Sequence, residues 1–286
     1  MRLFSRLLLA LALWLAAPVW AVPAMWQVGE GDRIVTIYGT VHALPPGQNW
    51  LTPAADKAFA AADDVVVEVV FPDQPMVMQS LMMRMGTLPA PVPLASRVPP
   101  ELRPKLAVLV AQSGLPADVL DRLDSWLVAI TLVQIGMVKA GLDPEAGVDV
   151  TLSNRAKAEN RKLVGLETAE GQFRLFDTLP EAEQRLLLAS AVEDAGKMAE
   201  QLRALVAAWQ AGEIERILKE FDDSSLSPEL EQRLFTTRNA AWADWVQNAL
   251  KQPGRHFMAV GAAHMAGPKG LIAMLEARGL KVRRVE

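Results

Sequence analysis

The chain has 286 residues, of which 51% are hydrophobic, and a formal net charge of −4 at pH 7. This mild acidity, without a basic stripe in any segment, argues against nucleic acid as a partner. The absence of cysteine excludes disulfides and thiol nucleophiles, so stability must come from the burial of a hydrophobic core.

The first predicted element is a secretory signal peptide over residues 1–24. Two arginines precede an apolar run over residues 7–17, and Ala21 and Ala24 each end a sequence suited to signal peptidase. The run is shorter than the ~20 residues that span a bilayer, which favours cleavage over an uncleaved anchor helix. No cysteine is present for lipid attachment. We therefore expect an exported protein, periplasmic or secreted and without a lipid anchor, whose residues 25–286 form one domain with no transmembrane span.

A strand–helix–strand unit follows. Residues 33–38 alternate apolar and polar side chains, and residues 64–70 form a β-branched run typical of a buried parallel strand. Between them, Thr52 is suited to cap a helix that begins at Pro53 and runs to about residue 62. The unit is long enough for a right-handed crossover, which predicts two parallel strands in one sheet.

The middle of the chain is predicted to be helical and its end to return to the sheet. Apolar periodicity predicts helices over residues 100–113, 116–139, 180–212, 213–221, 228–250 and 268–278, with a further helix capped by Asp149. Three more strands are predicted over residues 162–166, 256–260 and 281–285. The expected fold is α/β (α+β), with a mixed, mostly parallel sheet built from the two terminal segments. A large helical middle, inserted at about residues 97–160 and 180–250, covers that sheet.

Methionines crowd residues 73–96, among them Met76, Met78, Met82, Met83 and Met85. Beside a metal site they could bind copper, but methionines at helical spacing favour an adaptable core or the lining of a groove.

The same short motif occurs near both ends of the chain, as Gly39-Thr40-Val41-His42 and Gly261-Ala262-Ala263-His264. Each copy follows an apolar strand, and together they use two of the three histidines in the chain. A glycine at a strand end permits a sharp turn, which aims the histidine back over the strand. The two Gly-x-x-His loops therefore indicate one shared site, with a metal ion as the favoured occupant.

Two glutamates lie at or near the ends of predicted strands. Glu68 interrupts a run of valines, where an unpaired carboxylate would cost several kcal/mol unless it is paired or bound to a metal. An edge strand with Glu68 facing water is the alternative, but valine on both sides favours a functional residue. Glu167 ends the strand over residues 162–166, where open α/β sheets place ligand-binding groups. If these strands are parallel, both carboxylates converge on the rim that carries His42 and His264.

The third histidine and an Arg-Asn pair each allow a structural interpretation. His256 begins its strand, at the end opposite the predicted site, and is interpreted as structural or exposed. Arg238 and Asn239 lie inside a long helix, where arginine usually forms a surface ion pair and asparagine is a poor helix former. A surface pair and a local role both remain open for these two residues.

Two histidines and a carboxylate form a common set of ligands for a catalytic divalent ion. Such an ion lowers the pKa of bound water and polarises a carbonyl, and a second carboxylate can then serve as general base. A serine hydrolase is disfavoured because no Gly-x-Ser-x-Gly elbow is present, and phosphate-loop and dinucleotide fingerprints are missing.

Taken in order, the motifs resemble the TraB/GumN family in its bacterial exported form. The matching stretches are Gly39 to His42, Val67-Glu68, Gly147-Val148-Asp149, Gly165-Leu166-Glu167-Thr168 with Gln172, Thr237-Arg238-Asn239 and 259–267, with Met265 where leucine is expected. The resemblance implies a superfamily with the Tiki metalloproteases and, more distantly, erythromycin-esterase-like and ChaN-like proteins. It implies His42, Glu68 and His264 as the metal-associated set, with Glu167 and Arg238 as further site residues.

The leading expectation is an exported divalent-metal hydrolase of peptidase type, with Mn, Co or Zn as the candidate ion. His42 and His264 bind the ion, Glu68 completes the set or acts as base, and Glu167 takes the remaining carboxylate role. Arg238 stabilises the developing oxyanion or holds a substrate carboxylate. The alternative is a non-catalytic periplasmic binding or regulatory protein that holds a peptide, metal or haem in the same cleft. The peptide or small-molecule substrate and the oligomeric state are left open by the sequence.

Overall fold

The computed structural model describes residues 21–222 and 227–286, so the signal peptide predicted over residues 1–24 lies outside the described residues except for its last four. The strands are β1 Met25–Glu30, β2 Arg33–Thr40, β3 Asp64–Val69, β4 Lys162–Glu167, β5 Gly254–Gly261 and β6 Val282–Arg284. They form one six-stranded sheet in the order β4-β3-β5-β2-β1-β6. The predicted α/β class is thus confirmed.

Four consecutive strands, from β4 at one edge to β2, run in the same direction. β5 pairs in parallel with β2 on one side and with β3 on the other, and β3 pairs in parallel with β4. β1 and β6 add an antiparallel pair on the far side of β2. The carboxyl ends of β2, β3, β4 and β5 therefore meet at one rim of the sheet.

The sequence interpretation missed β1. Its residues are stabilised by pairing with β2 through a tight turn, in which Gly31 has φ 66°, and by pairing with β6. Both partners are contacts across the fold, and the segment itself carries no clear alternation of apolar and polar residues. The final strand is also shorter than the predicted residues 281–285.

The helices of the described residues fill the segments between these strands. They are α1 Pro53–Ala60, α2 Pro75–Met85, α3 Arg103–Ser113, α4 Ala117–Leu120, α5 Ser125–Lys139, α6 Val148–Ala158, α7 Ala169–Asp177, α8 Glu181–Asp194, α9 Met198–Gln210, α10 Ile214–Asp222, α11 Pro228–Glu231, α12 Thr237–Ala249 and α13 Leu271–Ala277. None of the helices in these described ranges is both long and apolar enough to cross a membrane.

The single helix predicted over residues 116–139 is wrong, because the chain breaks between α4 and α5. Arg97, which is 3% exposed, donates hydrogen bonds to the carbonyl oxygens of Asp121 at 2.7 Å and Leu123 at 2.5 Å. The N–H of Asp124 bonds to the carbonyl of Gly86 at 2.8 Å. A continuous helix would use these backbone groups internally, so the tertiary contacts decide the break.

Of the two other long predicted helices, one is interrupted and the other is continuous. The helix predicted over residues 180–212 separates into α8 and α9, and the helix over residues 228–250 contains a π-helical turn, Gln232–Thr236, between α11 and α12. π-turns inside helices are frequent at functional sites. This one directly precedes the helix that carries Arg238 and Asn239.

Two hydrophobic clusters hold the fold together. The larger lies on the sheet, where Val65, Val66, Phe257 and Met258 have no exposed surface. The smaller surrounds Trp126 among helices α3, α5 and α8. Met82 and Met85 pack against this second cluster, as the core interpretation of the methionines expected, whereas Met76 is 71% exposed and Met83 is 42% exposed.

Candidate active site

The rim of the parallel strands carries four of the predicted site residues in a row. His42 follows the end of β2, Glu68 is next to last in β3, Glu167 ends β4, and His264 lies in the 3₁₀ turn Ala262–Met265 that follows β5. The strand order places them across the rim in the spatial order Glu167, Glu68, His264 and His42. Because β3 has a neighbour on each side and the Glu68 side chain is only 12% exposed, Glu68 is not a water-facing residue of an edge strand.

The two Gly-x-x-His loops are in contact. The parallel register sets Gly39 opposite Val260 and Thr40 opposite Gly261. A Cβ atom on Gly39 would lie 3.2 Å from the Cβ of Ala262, so the first glycine allows the second loop to approach closely. The two Gly-x-x-His loops therefore lie side by side, as the repeated motif suggested.

A third segment supports the first loop. The N–H of Val148 bonds to the carbonyl of Val41 at 2.9 Å, and a Cβ on Gly147 would lie only 2.4 Å from the carbonyl oxygen of His42. Glycine is thus required for α6 to begin beside the loop. This contact brings Asp149 to the site.

Asp149 orients His42 and does not cap a helix, so the predicted N-cap role is wrong. Gly147 is the N-cap of α6, and Asp149 lies in its first turn. Its Oδ2 lies 3.2 Å from Nδ1 of His42, and this carboxylate raises the pKa of His42 to about 9. The His42 side chain is 67% exposed, so its ring is accessible from solvent.

Arg238 lies at the centre of the site and does not form a surface ion pair. Its side chain is 12% exposed. Nη2 donates to Oε2 of Glu68 at 2.5 Å, and Nε donates to Oε1 of Glu167 at 2.8 Å. Nη1 lies 3.0 Å from Nε2 of His264 and 2.9 Å from the carbonyl oxygen of Leu234, which belongs to the π-turn. One guanidinium therefore joins two carboxylates and an imidazole.

Asn239 determines the tautomer of His264. Its Nδ2 donates to the carbonyl of Lys269 at 2.9 Å, so its Oδ1 is the atom that faces Nδ1 of His264 at 2.6 Å. An amide oxygen only accepts, so Nδ1 of His264 carries the proton and Nε2 presents a lone pair to the site. Burial lowers the pKa of His264 to about 3, against the pull of Glu68, so the ring is neutral at physiological pH.

Glu68 is ionised and held from both sides. Its Oε1 accepts the N–H of Gly261 at 2.7 Å, and its Oε2 accepts from Nε2 of Gln172 at 3.1 Å in addition to Arg238. Burial alone would raise the pKa of Glu68, but the charges of His42 and Arg238 and the N–H of Gly261 outweigh it and hold the pKa below its ordinary value. The carboxylate therefore keeps its charge over the whole physiological range.

Glu167 shares its Oε1 between Nε of Arg238 and Nε1 of Trp242, which donates at 2.9 Å. The Trp242 ring also packs against His264, with centroids 4.4 Å apart, and lies 4.8 Å from the Arg238 guanidinium carbon. Trp242 thus forms an aromatic wall of the site. Sequence reasoning missed it, although Arg238 and Trp242 are four residues apart on one helix face.

His256 is structural, as the sequence interpretation allowed. Its Nδ1 lies 2.7 Å from Oδ1 of Asp64, at the amino-terminal ends of β5 and β3. It therefore stands apart from the rim.

The donor types of the site fit a divalent ion, although they do not close around one. His264 offers a neutral Nε2 and Glu68 offers a carboxylate, whereas His42, with its pKa raised to about 9, holds a proton on Nε2 that a bound ion would have to displace. Within the described ranges, no three His, Asp or Glu side chains lie close enough together to hold an ion. Arg238 occupies the contacts of His264 Nε2 and Glu68 Oε2 instead.

A single family model matches the part of the chain that forms this site. The model of the TraB/PrgY/gumN family matches residues 24–284, which include the whole sheet and every site residue above. The chain is similar to the uncharacterized protein YbaP of Escherichia coli (strain K12), with 26% identity over 259 residues, 88% of this chain and 92% of the relative. The uncharacterized YbaP of Shigella flexneri shows the same identity and coverage. No solved structure matches significantly.

Proposed function

The chain belongs to the TraB/PrgY/gumN family, and from the geometry of its site we propose that it is a divalent-metal-dependent hydrolase of peptidase type. One observation carries the proposal. Each of the three proposed ligands is oriented through its far atom: His42 by Asp149, His264 by Asn239, and Glu68 by the N–H of Gly261. Partners of this kind are typical of metal ligands in proteins.

The roles of the proposed ligands follow from these contacts. His264 Nε2, His42 Nε2 and Oε2 of Glu68 would hold Mn, Co or Zn, since mixed imidazole and carboxylate donors suit all three. When bound, the ion would polarise the scissile carbonyl and lower the pKa of a coordinated water.

The second carboxylate and the arginine serve the reaction. Both oxygens of Glu68 are engaged, whereas in the described part of the chain only Oε1 of Glu167 accepts hydrogen bonds. Glu167 Oε2 is thus left to take a proton from the attacking water, as a general base. Arg238 compensates the negative charge of the two carboxylates, and its Nη groups would donate to an oxyanion that develops at the site.

Metal content tests the proposal. The purified protein is loaded with Mn²⁺, Co²⁺ or Zn²⁺, dialysed and analysed for metal, beside a His42→Ala/His264→Ala double variant. His256→Gln is the matched control, because it changes the third histidine at the opposite end of β5. We expect about one tightly held ion in the wild type and the control, and none in the double variant. Equal metal content in all three proteins would contradict the proposal.

A second function uses the same cleft to hold a peptide, metal or haem without turnover. It is favoured by apolar side chains that remain exposed directly after β3, where Phe71 is 44%, Met76 71% and Val77 45% exposed. Saturable binding of peptides with no product detected by mass spectrometry, or haem absorbance in the purified protein, would support this function and not hydrolysis.

Export is part of the proposal, and the fold favours one of the two cleavage positions. The N–H of Val22 bonds to the carbonyl of Gln210 at 2.8 Å, and the fully buried Ala24 accepts from the N–H of Gly39 at 3.1 Å. Residues 22–24 therefore pack against the fold, which favours cleavage after Ala21. We expect the periplasmic fraction of a bacterial host to contain a protein whose first residue, by peptide mass, is Val22. A protein that begins at Met25 would contradict this boundary, and one that retains Met1 would contradict export.

A further inference from the structure

The guanidinium of Arg238 takes the two contacts that a metal ion would need. Its Nη1 lies 3.0 Å from Nε2 of His264, and its Nη2 lies 2.5 Å from Oε2 of Glu68. These are the neutral imidazole nitrogen and the carboxylate oxygen assigned above as ligands. An ion at ~2.1 Å from both atoms cannot coexist with the guanidinium in this position.

We propose that Arg238 is a displaceable internal cation, which fills the ion position between His264 and Glu68 in the metal-free protein and withdraws when a divalent ion binds. The inference rests on the proposed function, since it concerns occupation of the same site. The charges support it. The two carboxylates carry a charge of −2, and the guanidinium carries +1. A divalent ion can therefore pair with Glu68 while the guanidinium stays with Glu167, so neither carboxylate is left without a cation.

The arginine also has contacts to which it can retreat. Its Nε bonds to Glu167, its Nη1 bonds to the carbonyl of Leu234, and its guanidinium carbon lies 4.8 Å from the Trp242 ring. None of these three contacts is made through an atom of His264 or Glu68. A rotation about the last side-chain torsions that keeps the Nε bond to Glu167 would move both Nη groups away from His264 and Glu68 while the guanidinium stays paired.

Metal affinity distinguishes a displaceable Arg238 from an arginine that only stabilises an oxyanion. If the ion must displace the guanidinium, only the protein molecules with an open site can bind it. The apparent Kd for the ion is then the intrinsic Kd divided by the open fraction. Removing the guanidinium then tightens metal binding. An arginine that only contacts the transition state would leave metal binding unchanged.

Cobalt binding without substrate provides the test. Co²⁺ is titrated by calorimetry into the wild type, Arg238→Ala and Arg233→Ala. Arg233 is the matched control. It lies in the π-turn that precedes the helix of Arg238, and it pairs with Glu229 outside the site. We expect Arg238→Ala to bind Co²⁺ at least about tenfold more tightly than the wild type, and Arg233→Ala to bind as the wild type does. If Arg238→Ala does not fold, Arg238→Lys replaces it, because a lysine ammonium cannot span both ligands, and the same direction of change is expected.

Added guanidinium distinguishes occupation of the position from loss of a positive charge. Guanidinium chloride at a low, non-denaturing concentration should weaken Co²⁺ binding to Arg238→Ala, and sodium chloride at equal ionic strength should not. The wild type should respond equally to both salts. Wild-type binding without a gain in the Arg238 variants, or a gain without guanidinium competition, would overturn this inference and leave the proposed function standing. No Co²⁺ binding by any of the proteins would overturn both.

Discussion

Replacing Arg238 by methionine in the metal-free protein is expected to lower the free energy of unfolding by about 3 to 5 kcal/mol. Arg238 is 12% exposed and is bonded to Glu68 and Glu167, whose side chains are 12% and 18% exposed. Methionine fills a similar volume but leaves two nearly buried carboxylates side by side without a cation. Urea unfolding followed by circular dichroism, in the presence of a chelator, gives the measurement.

The control for this loss is an exposed arginine in an ordinary ion pair. Arg174 is 60% exposed and pairs with Glu170 one helical turn away, so Arg174→Met is expected to cost about 0 to 1 kcal/mol. Adding Glu68→Gln to Arg238→Met should recover part of the lost stability, because one of the two unpaired charges is removed. Equal losses for the Arg174 and Arg238 variants would show that the central arginine does not hold the carboxylates together.

Glu68→Gln is expected to lower kcat/KM for hydrolysis by about 10²-fold to 10³-fold. The amide has nearly the same shape, but it cannot carry the charge that pairs with Arg238 and a metal ion. It also offers one acceptor atom, where Glu68 uses Oε1 for the N–H of Gly261 and Oε2 for Arg238 and Gln172. Product release from a peptide library, followed by mass spectrometry with added metal ion, gives the rates.

A matched carboxylate keeps the Glu68 result interpretable. Glu170 lies on α7, the helix that carries Gln172, and its side chain is 50% exposed. Glu170→Gln should therefore hydrolyse peptides at the wild-type rate. If Glu68→Gln is as active as Glu170→Gln, Glu68 has no part in catalysis. If the wild type binds peptides but releases no product, the site is a binding site and not a hydrolase.

The order of residues along the rim could be read from local patterns. The β-branched run around Glu68 and the apolar runs before each Gly-x-x-His loop are short-range signals for strands. A glycine after such a strand permits a turn by virtue of its own backbone freedom. Parallel pairing then places the ends of β2, β3, β4 and β5 together, which requires only the general rules of sheet topology.

The partners of those residues could not be read in the same way. Asp149 resembled a helix cap because aspartate commonly fills that position, yet its distance of 3.2 Å from His42 joins residues 107 apart in the chain. Arg238 could be read as a surface arginine, because its bonds to Glu68 and Glu167 join residues 170 and 71 positions apart in the chain. Asn239 looked ill suited to a helix because its purpose, the bond to Nδ1 of His264, lies outside that helix.

The sequence by itself therefore determined the strands of the parallel rim, the paired loops and the four side chains at the strand ends. Each of these depends on the periodicity or backbone freedom of a few consecutive residues. Only the tertiary structure decided the β1 strand, the break between α4 and α5, the tautomer of His264 and the position of Arg238. These depend on hydrogen bonds and charges between distant segments, whose energies exist only once the chain has packed.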